Sequence, residues 1–109
     1  MKRAIAVMLV GMVVSGPAWG NGNRLYSYCK SEHFSAQGFC KGFIQGVSEV
    51  LNGAADGRFG VLRFCLPDGV NLGQEQDVVI KWLTENPQER HLPASLVVIS
   101  ALAEAFPCK

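Results

Sequence analysis

The sequence predicts an all-α, disulfide-stapled bundle of about three to four helices. Three observations carry that expectation. Apolar residues recur at helical spacing, with Phe39, Phe43, Val47 and Leu51 four apart. Recognisable start and stop residues bracket each apolar run. Four cysteines fall in a short chain that opens with an export-type leader.

The leader is read from its order of parts. Basic Lys2 and Arg3 precede an apolar run from Ala4 to Val14, and Ala18-Trp19-Gly20 supplies small residues at a cleavage site. A membrane anchor would need roughly 18 or more apolar residues, and Pro17 interrupts this run early. The expected organisation is therefore a signal peptide over 1–20 and one domain over 21–109, periplasmic and free of the membrane after cleavage.

Of the ten Lys and Arg residues, eight remain after position 20, against nine Asp and Glu, a formal balance of −1. That excludes the basic footprint expected of a nucleic-acid binder. An even number of cysteines in a short exported chain reads as a disulfide framework of Cys29, Cys40, Cys65 and Cys108. Zinc, haem attachment and thioredoxin-like chemistry need close pairs such as C-x-x-C, whereas 10, 24 and 42 residues separate successive cysteines here. Four cysteines allow three pairings. Helices alternating up and down would bring Cys29 to Cys40 and Cys65 to Cys108, and a segment from Asn52 to Val70 that recrosses the molecule would allow others.

Along the domain, Arg24 to Lys30 forms a short first helix with Leu25 and Tyr28 on one side. The second has Ser35 as its expected N-cap, carries the ladder of Phe39, Phe43, Val47 and Leu51 with Cys40 and Ile44 beside it, and stops at Asn52-Gly53. Gly42 and Gly46 inside it cost roughly 1 kcal/mol each relative to alanine. Close packing of a neighbouring helix or of the Cys40 bridge is the expected compensation. The membrane-dimer reading of G-x-x-x-G fails because Lys41, Gln45, Ser48 and Glu49 interleave.

Gly53 to Val70 reads as a loop with a turn at Pro67-Asp68-Gly69. Asn71 and Gln74 have capping-box spacing and open a third helix, with Val78, Val79, Trp82 and Leu83 toward the core and Asn86-Pro87 as its end. Pro93 suits a first helical position. The fourth helix, Ala94 to Phe106, has Glu104 as its only charge, the pattern of a buried central helix.

Catalysis needs a nucleophile, base or metal held by an orienting group. His33 and His91 are the only histidines and lack ligand spacing. Glu75 and Asp77, and Glu85 and Glu89, read as solvated helix faces. No enzyme activity, metal or cofactor is expected, so binding through exposed loops is the remaining function. Arg58 and Phe59 lie between Gly57 and Gly60, and Gln88, Glu89, Arg90 and His91 lie between Pro87 and Pro93. Both loops are candidate contact segments, and arginine and aromatics favour the first.

Larger blocks carry a resemblance. Cys40-Lys-Gly-Phe-Ile-Gln-Gly-Val47, Phe64-Cys-Leu-Pro-Asp-Gly-Val70 with Gln74, Val78-Val79, Trp82-Leu83, Pro87 and His91-Leu-Pro-Ala94, and Ala101-Leu-Ala-Glu-Ala-Phe-Pro-Cys108 together resemble the Rap/Tai family of type VI secretion immunity proteins. The resemblance covers nearly all of the domain from Cys29 onward. It implies a periplasmic, all-helical homodimer that binds and blocks a peptidoglycan amidase effector delivered by the type VI system. It also implies that the cysteines, helix glycines and apolar ladder are scaffold, while the effector-contacting loops vary. Two other readings fit size and compartment: a periplasmic acid-stress chaperone, which would expose apolar surface once its carboxylates are protonated, and an orphan helical binding module of the same fold.

Overall fold

The computed structural model describes residues 20–52 and 63–109. Four α-helices form among them: α1 (Gly22–Lys30), α2 (Phe34–Leu51), α3 (Leu72–Glu85) and α4 (Ala94–Ala105), with a short 3₁₀ turn, Pro87–Glu89, between the last two. Each helix packs against the other three. Among the described residues no helix is long and apolar enough to cross a membrane.

Local chemistry explains most of the boundaries. The Asn21 side chain accepts from the Arg24 N–H at 3.0 Å and starts α1 two residues earlier than the sequence suggested. Asn71 and Gln74 form the expected reciprocal capping box at 2.8 and 3.0 Å, which satisfies two of the donors a helix start leaves unpaired. Gly69 adopts φ +93°, and the Val70 N–H reaches the Pro67 carbonyl at 3.4 Å, closing the turn before α3. That backbone conformation is open to glycine at little cost.

Two further expected starts are displaced. Helix α2 begins at Phe34 with His33 at the cap, not at Ser35. Ser31 holds the turn instead, its Oγ accepting from the His33 N–H at 3.0 Å, and the Gln37 amide donates to the carbonyls of Cys29 and Ser31 at 2.9 and 2.6 Å. Pro93 is the N-cap of α4, not its first residue, because it pairs in a short antiparallel bridge with Asn21 and the following Ala94 N–H donates to Gly20.

The core gathers Leu25 and Cys29 of α1, Cys40 and Ile44 of α2, Val79, Trp82 and Leu83 of α3, and Ala94, Val97, Val98, Ile99, Ala101 and Leu102 of α4. Helix α4 is the central element its composition suggested. On α2 the deepest line is Cys40, Ile44 and Ser48, and the Phe39, Phe43, Val47, Leu51 ladder lies half-buried on its shoulder. There Phe39 packs on Tyr28 at 4.6 Å between ring centroids. Phe64, outside any helix, is also fully buried.

The disulfides pair Cys29 with Cys40 and Cys65 with Cys108. The first joins α1 to α2 beside a polar inset, where the Gln76 amide donates to Gln37 Oε1 at 3.0 Å and lies 3.4 Å from Cys40 Sγ. The second ties the segment before α3 to the tail beyond α4. Glu75 departs from the solvated face expected of it: it is buried, and its Oε1 has no hydrogen-bond partner among the described residues. Its place one residue before Gln76 on the inward side of α3 accounts for the burial, which the spacing of acids in the sequence does not register.

Candidate functional site

Of the two loops singled out from sequence, Arg58 and Phe59 lie outside the described residues. The other loop is fully described and is a braced connector. After α3 the chain turns through Pro87–Glu89, where the Glu89 N–H bonds to the Asn86 carbonyl at 3.0 Å and the Glu89 carbonyl accepts from Leu92 at 3.2 Å. Gly22 and Asn23 at the start of α1 then donate to the carbonyls of Leu92 and Arg90, both at 2.8 Å. The connector is thereby fastened to the start of α1.

Within it the four candidate side chains divide. Gln88 and His91 are exposed, and Glu89 is half-buried. Arg90 is committed to the fold: its Nε donates to the Leu83 carbonyl at 2.7 Å, where α3 leaves unpaired acceptors, and its guanidinium lies 4.1 Å from the centre of the Tyr26 ring. Lys30 sits over the same ring at 5.5 Å. Tyr26 also shares a hydrogen bond with Thr84 at 3.1 Å. That bond, more than the positive charges of Lys30 and Arg90, holds the phenol below its ordinary value of 10.0, while burial pulls the other way. The result is a cationic, aromatic patch formed by α1, α3 and the connector. Tyr26 had no signal in the sequence, since its contacts with Thr84 and Arg90 join residues far apart in the chain.

Gly22 makes this junction possible. A Cβ there would fall 2.7 Å from the Arg90 carbonyl oxygen and 3.0 Å from Val97 Cγ2. The Gly22→Ala variant is expected to lose about 1–3 kcal/mol through overpacking, a fall of roughly 4–8 °C in Tm per kcal/mol for a domain of this size. Thermal unfolding followed by circular dichroism measures it. An unchanged Tm would mean that the Arg90 carbonyl moves aside freely and that the connector is not held at this point.

Another surface feature is apolar. A groove of about 490 Å³ runs between α2 and α4, walled by Phe43, Val47, Val50 and Leu51 on one side and Ser95 and Ile99 on the other. Gly42 and Gly46 border it, and a Cβ at either would meet nothing within 4 Å. Among the described residues the close packing expected of these two glycines is therefore absent: they face outward because the core side of α2 is taken by Cys40, Ile44 and Ser48.

All four cysteines are disulfide-bonded. Among the described residues no group of three or more histidine, cysteine or acidic side chains gathers in a way that could hold a metal ion. The described residues thus present a braced loop and an apolar groove.

A search of curated proteins returns no match. A family model described as Rap1a immunity proteins matches residues 21–108, the whole of the helical domain from the Asn21 cap to the second disulfide. On that match the chain belongs to the Rap1a immunity protein family.

Proposed function

We propose that the protein is exported by its leader over 1–20, folds over 21–109 as a periplasmic immunity protein, and binds and blocks a peptidoglycan amidase effector of a type VI secretion system, acting as a homodimer and not as an enzyme. The observation that carries this reading is the family match over a domain whose described cysteines are all oxidised, since such bridges persist in oxidising compartments.

The braced connector supports a physical account of inhibition. An amidase that cleaves peptide stems has a groove for an extended chain, and a loop already held at both ends enters such a groove with little further loss of freedom. Gln88 and His91 are the outward side chains of that connector. Glu89 stands beside them, and Arg90 sets their position through Leu83 and Tyr26. Arg58 and Phe59 are the second candidate contact, as an arginine and an aromatic of the kind that anchor interfaces.

Survival of a deletion strain mixed with its type VI-competent parent tests the proposal, beside a mixture with a secretion-dead parent. Killing by the competent parent alone, reversed by the exported protein and not by a leaderless one, is the expected result. Equal survival in both mixtures while the system is firing would sink immunity and transfer the weight to the orphan binder or the chaperone.

A further inference from the structure

Two positive charges converge on one ring beside the connector. The Arg90 guanidinium carbon lies 4.1 Å from the centre of the Tyr26 ring, and Lys30 Nζ lies 5.5 Å from it. The acids nearest in sequence, Glu32, Glu85 and Glu89, form no ion pair with either cation, and Glu85 is engaged with Lys81 at 3.9 Å. Arg90 is fixed from two sides, by its Nε on the Leu83 carbonyl at 2.7 Å and by the ring. Its two terminal nitrogens have no acceptor among the described residues. The Tyr26 hydroxyl is already committed. Thr84 Oγ1 donates its one proton to the Ile80 carbonyl at 2.8 Å, so in the 3.1 Å contact between the two hydroxyls it is Tyr26 that donates. The phenol is therefore a platform for the two cations and has no proton left for another acceptor.

We infer that Arg90 and Lys30 together bind a carboxylate side chain of a partner protein, Arg90 presenting its fork of terminal nitrogens and Lys30 a second charge. A carboxylate is the planar acceptor whose two oxygens match two parallel guanidinium N–H bonds. An arginine ordinarily loses rotamer freedom when it binds. Here the Leu83 carbonyl and the Tyr26 ring have fixed it in advance. From residue 21 on, eight Lys and Arg stand against nine Asp and Glu, so attraction to an acidic group belongs to this patch and not to the surface at large. The openness of the patch favours a macromolecule. None of the described cavities is lined by Tyr26, Lys30 or Arg90, whereas small ligands are held in pockets that bury most of their surface. Exposed Gln88 and His91 extend the patch along the connector, and a fixed arginine on an aromatic ring is the composition of an interface anchor. The inference rests on the proposed function for the identity of the partner, the amidase effector, and not for the chemistry recognised.

Nuclear magnetic resonance of the protein, made in an oxidising compartment, with an acetylated and amidated tetraglutamate peptide is the first test. Tetraglutamine, inorganic phosphate and a free cell-wall stem tetrapeptide are the comparison ligands. Tetraglutamate should shift the Arg90 Nε–H and Lys30 amide signals, and tetraglutamine should not. Lys30→Glu should weaken binding about ten-fold by reversing one charge at an exposed position. Lys109→Glu, the same change in the tail beyond α4, should leave it within about two-fold. Arg90→Lys keeps the charge and loses the fork, so it should also weaken binding about ten-fold. Lys30→Glu leaves the Leu83 bond in place and carries the test if Arg90→Lys lowers the Tm. Absence of shifts at Arg90, or equal weakening by both lysine changes, overturns the inference. So does phosphate or the stem tetrapeptide binding as tightly as tetraglutamate, since the patch would then be a general anion site or a cell-wall site. The mixed-strain survival assay separates failure of this inference from failure of the proposed function. Protection by the parent that persists undiminished in Lys30→Glu overturns the carboxylate contact and leaves immunity standing. Protection lost in Lys30→Glu at unchanged Tm supports the contact. Tetraglutamate binding at Arg90 in a protein that gives no protection sinks immunity and upholds the carboxylate site for another acidic partner.

Discussion

Reducing both disulfides is expected to unfold the protein. The bridges close loops with sequence separations of 11 and 43 residues, and restricting the unfolded chain over such loops stabilises the fold by about 3 and about 4 kcal/mol respectively. A single domain has only about 5–15 kcal/mol in total, and a short domain has a thin core to draw on. Urea unfolding with and without reductant measures the whole effect. The paired variants Cys29→Ser with Cys40→Ser, and Cys65→Ser with Cys108→Ser, divide it. The second pair should lose more, because it closes the longer loop. It also holds the non-helical segment ahead of α3 to the tail, where the Cys65 N–H bonds to the Phe106 carbonyl at 2.9 Å. A reduced protein that unfolds at the same urea concentration as the oxidised one would show that the helical core suffices. The same logic bears on function: a leaderless chain made in a reducing compartment should give no protection because it lacks its staples.

Phe64→Ala should be the most damaging single apolar truncation, at about 3–5 kcal/mol. Phe64 is 1% exposed and leads the largest fully buried side chains, yet it belongs to no helix. It inserts from a stretch otherwise held by a few specific bonds, among them the Leu66 N–H to Asn52 Oδ1 at 2.8 Å. Removing the ring therefore opens a cavity and releases the segment that carries Cys65. The urea midpoint reads the loss. Phe34→Ala is the matched control: that ring is 94% exposed, so its removal should change stability by no more than about 0.5 kcal/mol. Phe64→Ala combined with loss of the Cys65–Cys108 bridge should cost less than the sum of the two, since neighbours that share one segment do not add. Full additivity would mean that Phe64 and the disulfide secure separate parts of the fold.

The candidate site was legible in sequence only as a segment. Two prolines bracketing a polar stretch marked Gln88 to His91 as a loop, and it is one. Which of its side chains face solvent could not be read, because Arg90 is drawn inward by the Leu83 carbonyl and the Tyr26 ring, neither of which lies within five residues of it. Glu75 is the same lesson on a helix. Its neighbours in sequence look solvated, and only the packing of α3 against the rest decides that it is buried.

What the sequence determined by itself was whatever acts within a few residues. That includes the helical period of each apolar run, the Asn71 and Gln74 box, the glycine turn at Gly69, the proline and asparagine stops, the composition of the central helix, and the commitment of four cysteines to bridges. The tertiary structure decided the disulfide partners, the outward aspect of Gly42 and Gly46, the burial of Phe64, and the fastening of the connector to Gly22 and Asn23. The reason is one of range. Caps and periodicity are set by backbone hydrogen bonds and side-chain spacing inside one element. Which face of α2 stays bare, and which cysteine lies beside which, depends on how four helices share one small core.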